Sequence, residues 1–253
     1  MKPSNFAGFT IIETMLFLGI TGLLVMGVLA GAGTSINVQR YRDSVTSLQS
    51  TLQQQYSEVM NVSNDSMINS CKATTNIARG QSDCVVLGRY ITTSNSKRLN
   101  IKNVIGVIPK SEDATATLND VNVFLGDPDG SQPGYNIQVI DTGSQVYDIE
   151  WGSSLVDTSI NKNVPLKFSM LILRSPVSGA VRTFVAPNST NKDPVVDDKD
   201  IATLVNDNAL HQKTSICVDS NGFFNSGKSA VVITANSSSA SGIEALGEVT
   251  SGC

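Results

Sequence analysis

From Thr14 to Gln39 the chain carries no Asp, Glu, Lys, Arg or His. Charge is scarce elsewhere too: Asp, Glu, Lys and Arg make up 16% of the 253 residues, against about a quarter in ordinary soluble domains. The net charge of −4 leaves no basic footprint, which argues against nucleic acid as a partner. His211 is the only histidine. It lacks the GxSxG setting of a Ser-His-Asp triad and reads as a solvated or capping residue where a short helix meets a strand. There is no phosphate-binding loop and no dinucleotide fingerprint. The four cysteines, Cys71, Cys84, Cys217 and Cys253, form no CxxC pair and no Cys/His cluster, which weighs against structural zinc. Asp127-x-Asp129-Gly130 opens like a calcium loop but lacks the further acids and the closing Glu, so a turn is expected. The run Asp193, Asp197, Asp198 and Asp200, interrupted by Lys199, reads as a solvated loop before it reads as a calcium site. The expectation is a chain without catalytic constellation, cofactor or metal, and so not an enzyme.

What is present is concentrated at the N-terminus. Met1 to Gly8 carries one charge, Lys2, and Glu13 then heads an apolar run that extends to Gly33. At about 1.5 Å rise per residue, roughly 20 apolar residues span a bilayer core of about 30 Å. A carboxylate at the edge of such a span needs a reason, because burying one in lipid costs about 2.5–3.5 kcal/mol on insertion scales. One general reading is a secretory signal peptide cut after Ala30-Gly31-Ala32. The run, however, exceeds the roughly 7–15 residues of a signal core, and Glu13 lies inside its start. A second is a plain single-pass anchor with Gly27-xxx-Gly31 as a dimerisation face. Neither explains Glu13.

The junction Gly8-Phe9, with Thr10 after it and Glu13 closing the motif, closely resembles the processing signal of type IV pilins and type II secretion pseudopilins. The resemblance implies a prepilin peptidase that cuts between Gly8 and Phe9 and methylates the new amine of Phe9. It implies that Glu13 aligns an incoming subunit by pairing with a neighbour's terminal amine, which would offset the desolvation of the carboxylate. The implied partners are the peptidase, other pilin or pseudopilin subunits, an assembly platform in the membrane and the lipid bilayer. The implied location is a single-pass membrane protein before assembly and an extracellular or periplasmic filament after it. Gly19, Gly22, Gly27, Gly31 and Gly33 would each weaken a helix by about 1 kcal/mol in water; in the family, helices loosen in this region when packed in a filament.

After Gly33 the helical pattern continues in amphipathic form. Val38, Tyr41, Val45, Leu48, Leu52, Tyr56 and Val59 recur at steps of three and four, and no Pro or Gly interrupts Thr34 to Met60. One helix over residues 10–61 is expected. It divides into a cytoplasmic leader at 1–8, a transmembrane and assembly helix at 9–33 and an amphipathic continuation at 34–61, before a β-rich ectodomain at 62–253. Strand-like runs fall at 84–91, 101–108, 121–125, 135–140, 146–151, 166–173, 181–185, 215–219, 230–235 and 243–249. A polar loop is expected over 61–83, an acidic one over 187–200 and a short helix over 201–210. The sum is an α+β fold: a long N-terminal helix packed against an antiparallel sheet or β-sandwich head.

Four cysteines in an exported domain allow three pairings. The local scheme, Cys71–Cys84 with Cys217–Cys253, closes the two shortest loops and is preferred. Many pilins likewise close a C-terminal region with a disulfide. The stretch Ile216 to Phe223 followed by Val231-Val232-Ile233 resembles the closing strands of the H/FimT-like minor branch, which has a β-sandwich head. The reading is therefore a structural subunit of a type IV filament machine, with its size leaning towards a minor pilin or pseudopilin. Two alternatives remain. One is a DNA-binding tip pilin, for which Lys97, Arg98 and Lys102 are the densest basic cluster. The other is a membrane-anchored binding ectodomain unconnected with filaments.

Overall fold

The computed structural model describes residues 8, 10–61, 84–107, 118–127, 133–157, 164–186, 200–222, 228–249 and 253. Its first element is α1, Ile11–Met60, a continuous helix of 50 residues. Thr10 caps it from an extended backbone, its hydroxyl accepting from Glu13 N–H at 3.3 Å, and so satisfies one of the unpaired donors of the first turn. Asn61 closes it, donating its N–H to the Ser57 carbonyl at 3.0 Å. The expected limits of 10 and 61 are thus the two cap positions.

Among the described residues the head comprises two five-stranded antiparallel sheets. The first takes β1 (Cys84–Asn95), β2 (Arg98–Val107), β3 (Asn136–Asp148), β6 (Ser169–Arg174) and β7 (Val181–Ala186) in the order β3-β2-β1-β6-β7. The second takes β4 (Ser154–Asp157), β5 (Val164–Pro165), β8 (Thr214–Asp219), β9 (Lys228–Ile233) and β10 (Ile243–Val249) in the order β10-β9-β8-β4-β5. The β1–β2 connection is a two-residue hairpin at Ser96-Lys97, tightened by Asn95 Oδ1, which accepts from Lys97 N–H at 2.9 Å. The β1 ladder shifts register between Val86 and Gly88. A side chain at position 88 would collide with the Ile172 carbonyl of β6, so the close approach of the two strands requires glycine there.

Strand alternation divides the apolar residues between two cores. On β6, Met170 and Ile172 point to one and Leu171 and Leu173 to the other. The larger core joins the apolar stripe of α1 to both sheets, through Ile91, Ile101, Met170 and Val185 from the first and Leu155, Ile216, Val231 and Ile243 from the second. The smaller core covers the opposite face of the first sheet. There Leu87, Tyr90, Val104 and Phe184 lie under a 3-10 turn, Asn122–Phe124, and under a second layer formed by a 3-10 turn, Ile201–Leu204, and a short helix α2, Asp207–Leu210. The first sheet is therefore covered on both faces.

Some elements differ from the sequence reading. Residues 121–125 form a turn instead of a strand, because Asn119 Oδ1 accepts from the Val121 and Asn122 N–H groups and bends the chain. Residues 135–140 and 146–151 do not form two strands; β3 runs unbroken from Asn136 to Asp148. The run at 166–173 becomes strand only from Ser169. The expected helix at 201–210 divides at Val205-Asn206, where Asn206 caps α2 by accepting from Ala209 N–H at 2.8 Å. β4 and β5 were not foreseen at all. His211 is the C-cap of α2, in line with its capping reading. Asp129, Asp193, Asp197, Asp198 and the polar segment 62–83 lie outside the described residues.

Candidate functional site

The candidate site is the exposed N-terminal half of α1. Between Ile11 and Leu29 its large apolar side chains are exposed, from Ile20 at 51% to Ile12 at 76%, and this stretch is long and apolar enough to cross a membrane, with none of it buried among the described residues. This single long apolar helix fits a single-pass membrane anchor. The hydroxyls within it are satisfied by the helix itself: Thr14 donates to the Ile11 carbonyl, Thr21 to those of Phe17 and Leu18, and Thr34 to that of Gly31. Such back-bonding removes the penalty of carrying polar groups into hydrocarbon. Among the described residues, a Cβ added at Gly19, Gly22, Gly27, Gly31 or Gly33 would meet no atom within 4 Å apart from the helix's own adjacent backbone. Packing inside one chain therefore gives no reason for these glycines.

Gly8 lies exposed ahead of the helix, Phe9 and Cys71 lie outside the described residues, and Glu13 is exposed in the first turn of α1. A carboxylate there is favoured by the helix dipole, by about 0.3–1 kcal/mol. That is smaller than the cost of carrying it into an apolar environment. Local helix chemistry alone thus leaves Glu13 unexplained wherever the first turn is desolvated.

The head-side half of α1 is held differently. Tyr41, Val45, Leu48, Leu52, Tyr56 and Val59 are buried in the larger core, and Val38 is half-buried. Polar groups add to this hold, some on residues of the stripe itself (Tyr41, Tyr56) and some, Gln49 and Gln53, that the apolar pattern does not mark. The Tyr41 hydroxyl donates to the Val218 carbonyl and accepts from Ser229 N–H, each at 2.6 Å. Gln49 and Gln53 both donate to the Ile243 carbonyl, at 3.2 and 3.0 Å. The Tyr56 hydroxyl meets Thr183 Oγ1 at 2.8 Å and Ser237 Oγ at 2.9 Å, joining α1 to β7 and to the segment before β10. Burial raises the Tyr56 phenol above its ordinary value, and the bonds to Ser237 and Thr183 only partly oppose that. At the end of α1, Arg89 of β1 ion-pairs with Glu58 at 2.5 Å and Arg174 donates to the Met60 carbonyl at 3.0 Å.

Cys217 and Cys253 form a disulfide that ties residue 253 to β8. Cys84 is disulfide-bonded as well. The basic cluster is dispersed by pairing: Arg98 binds Asp148 at 2.6 Å and Lys102 binds Asp141 at 3.0 Å, leaving little positive field for a polyanion. Among the described residues no group of three or more His, Cys, Asp or Glu side chains could hold a metal ion.

A long apolar helix whose second half packs on antiparallel sheets, and whose first half stands free of them, defines a pilin-like architecture. No family model, curated protein or solved structure matches the chain.

Proposed function

We propose that this chain is a structural subunit of a type IV filament machine, in the manner of a minor pilin or pseudopilin. It would be processed between Gly8 and Phe9, held in the membrane by α1 and assembled through that helix. The observation that carries this reading is the exposed apolar half of α1 headed by Glu13 within the Gly8-Phe9-Thr10 motif. Apolar surface on this scale requires a cover. Lipid supplies one before assembly, and neighbouring helices supply one after it. Cover by neighbouring helices would also give the five helix glycines a use, since small residues let backbones approach.

Glu13 registers the incoming subunit in this scheme, because a desolvated carboxylate gains most from a cationic partner placed at its own level. The H/FimT-like assignment adds that the two sheets form the displayed head. Tip binding of DNA is disfavoured by the ion pairs of Arg98 and Lys102.

N-terminal sequencing and intact-mass measurement of the protein from its native membrane and from sheared filaments test the reading. A chain beginning at methylated Phe9 and present in the sheared fraction is expected. A chain still beginning at Met1, absent from that fraction, would overturn it in favour of a plain anchor. With Glu13→Ala, processing is expected to persist while recovery in the sheared fraction falls about tenfold or more, the equivalent of about 1.4 kcal/mol. Unchanged recovery of that variant would remove Glu13 from the mechanism.

A further inference from the structure

Trp151 is the chain's one tryptophan, and the packing of the head does not account for its placement. It is 51% exposed, and its backbone is held at φ 56°, a left-handed conformation that costs an ordinary residue roughly 1–2 kcal/mol. The 3-10 turn that carries it, Glu150–Gly152, is bracketed by the tip of the β1–β2 hairpin. Ile149 N–H donates to the Lys97 carbonyl at 2.8 Å on one side, and Leu155 N–H donates to the Ser96 carbonyl at 2.6 Å on the other. The turn is also tied to α1. Ser47 Oγ donates to the Glu150 carboxylate at 3.2 Å and accepts from the Tyr147 hydroxyl at 3.0 Å. Beyond these ties the indole lies over the Arg40 guanidinium, 5.1 Å from it to the ring centroid, within cation–π range. A braced turn thus presents an exposed indole at one level along α1, that of Arg40.

That level coincides with a membrane surface. Arg40 is the first charged residue after Glu13, 27 residue steps along an unbroken helix. At about 1.5 Å per step these cover about 40 Å, matching a bilayer with its headgroups at about 40–45 Å. With Glu13 at one face, Arg40 and Trp151 stand at the other. Indole rings concentrate at that depth because the ring favours hydrocarbon and its N–H favours water. An arginine there lays its stem along apolar surface and its head among phosphates. The hairpin tip adds exposed Lys97 to the same end of the head. Asp43 lies beside Arg40 and Arg42 on α1, and Glu150 lies in the turn bonded to the hairpin tip that carries Lys97, so net charge is small and the contact is amphipathic in character.

The geometry points to a lipid-contacting foot. Trp151 and Arg40 sit in the headgroup layer of the leaflet that faces the head, and they hold the head against the bilayer in the anchored state before assembly. The occupant is a phospholipid headgroup region, zwitterionic phosphatidylcholine included. This inference rests on the membrane-anchored reading of α1.

Because Trp151 is the sole indole, its fluorescence in the full chain reports on the foot directly. The chain is reconstituted into phosphatidylcholine vesicles, floated on a density gradient, and titrated with lipid spin-labelled at the headgroup and with aqueous acrylamide. A second protein, Trp151→Phe with Val177→Trp, places the reporter at the opposite end of the head, in the turn after Arg174, which binds the end of α1. The expected result is headgroup quenching of Trp151 several-fold stronger than that of the reporter at 177, with acrylamide quenching several-fold weaker. Equal quenching of the two reporters by lipid overturns the foot. Shielding of Trp151 from acrylamide without lipid quenching, growing with protein density in the vesicle, also overturns it and identifies a second copy of the chain as the occupant. Failure of the full chain to float removes the anchored reading and the foot with it; floating protein with a lipid-insensitive Trp151 removes the foot alone.

Discussion

Leu23 and Leu48 belong to one uninterrupted helix, yet the first exposes 74% of its surface and the second none. The two halves of α1 differ less in whether they are apolar than in how the apolar residues are distributed. From Ile11 to Gly33 they occupy every face, as in a helix surrounded by hydrocarbon or by other helices. From Tyr41 to Val59 they keep to one stripe, and the remaining faces carry Arg42, Asp43, Gln49, Gln53 and Glu58. The head-side half is anchored by side chains that reach particular backbone carbonyls, as Gln53 reaches Ile243. The N-terminal half directs its hydroxyls back to its own turns. One half is committed to a partner within the chain, and the other is left for a partner outside it.

The largest effect expected within this contrast comes from truncating leucine in each half. Leu48→Ala or Leu52→Ala, both in the larger core, should lower head stability by about 2–5 kcal/mol. Leu23→Ala should change it by less than about 0.5 kcal/mol. Urea unfolding of the full chain in detergent measures both, and equal losses would break the comparison. Next is the disulfide. Opening Cys217–Cys253, which closes a loop of 36 residues, with Cys217→Ser and Cys253→Ser should lower stability by about 2–4 kcal/mol. It should leave membrane retention unchanged, which flotation after refolding would show.

A smaller effect is expected at Tyr56, where the helix stripe meets polar groups of the head. Tyr56→Phe should cost about 1 kcal/mol by removing the hydroxyl from Thr183 and Ser237. Because burial raises the folded phenol above the unfolded value of about 10, its contribution is complete below that value and lost as pH rises through the folded one. The variant should therefore show a flatter alkaline limb in a stability–pH profile, and an unchanged limb would count against burial as the cause. The smallest effect is expected at Asp120. The Ser178 hydroxyl is the main influence lowering its carboxyl, ahead of opposing desolvation and the Arg182 guanidinium at 3.0 Å. That contribution is present above the unfolded carboxylate value of about 4 and lost as pH falls through the depressed folded one. Asp120→Asn should flatten the acid limb by less than about 1 kcal/mol, as befits a partly solvated pair, and a larger change would mean that the pair holds more than the local turn.

The helix was legible because its signals are local. The period of the stripe and the absence of breakers can both be read within a few turns, whereas the cap made by Thr10 emerged with the structure. Ser44 and Gln55 were not legible as core, although both are buried, since a polar residue inside a stripe looks the same in sequence whether a head covers it or not. The strands of β6 and β9 were readable as apolar runs, but that β6 serves two cores at once was not. The split depends on the layer made by the Asn122–Phe124 turn and the 201–210 segment, which comes from distant parts of the chain. Of the site, the motif residues Gly8 and Glu13 and the exposed apolar run came from pattern alone. Trp151 did not, because its meaning depends on Arg40, which lies far away in the chain.

Read alone, the chain marks the extent of α1 and the division between all-round and one-sided apolar patterning, and it favours Cys217–Cys253 among three possible pairings. Helical periodicity and short loop closure act over short separations, so each leaves a mark that needs no fold to interpret. Which strands join which sheet, that residues 136–148 form a single strand, and where the indole of Trp151 meets α1 emerge only in the folded chain. Those outcomes depend on which surfaces remain uncovered once the other elements are placed. A residue's neighbours across a core are set by that packing and not by its neighbours along the chain.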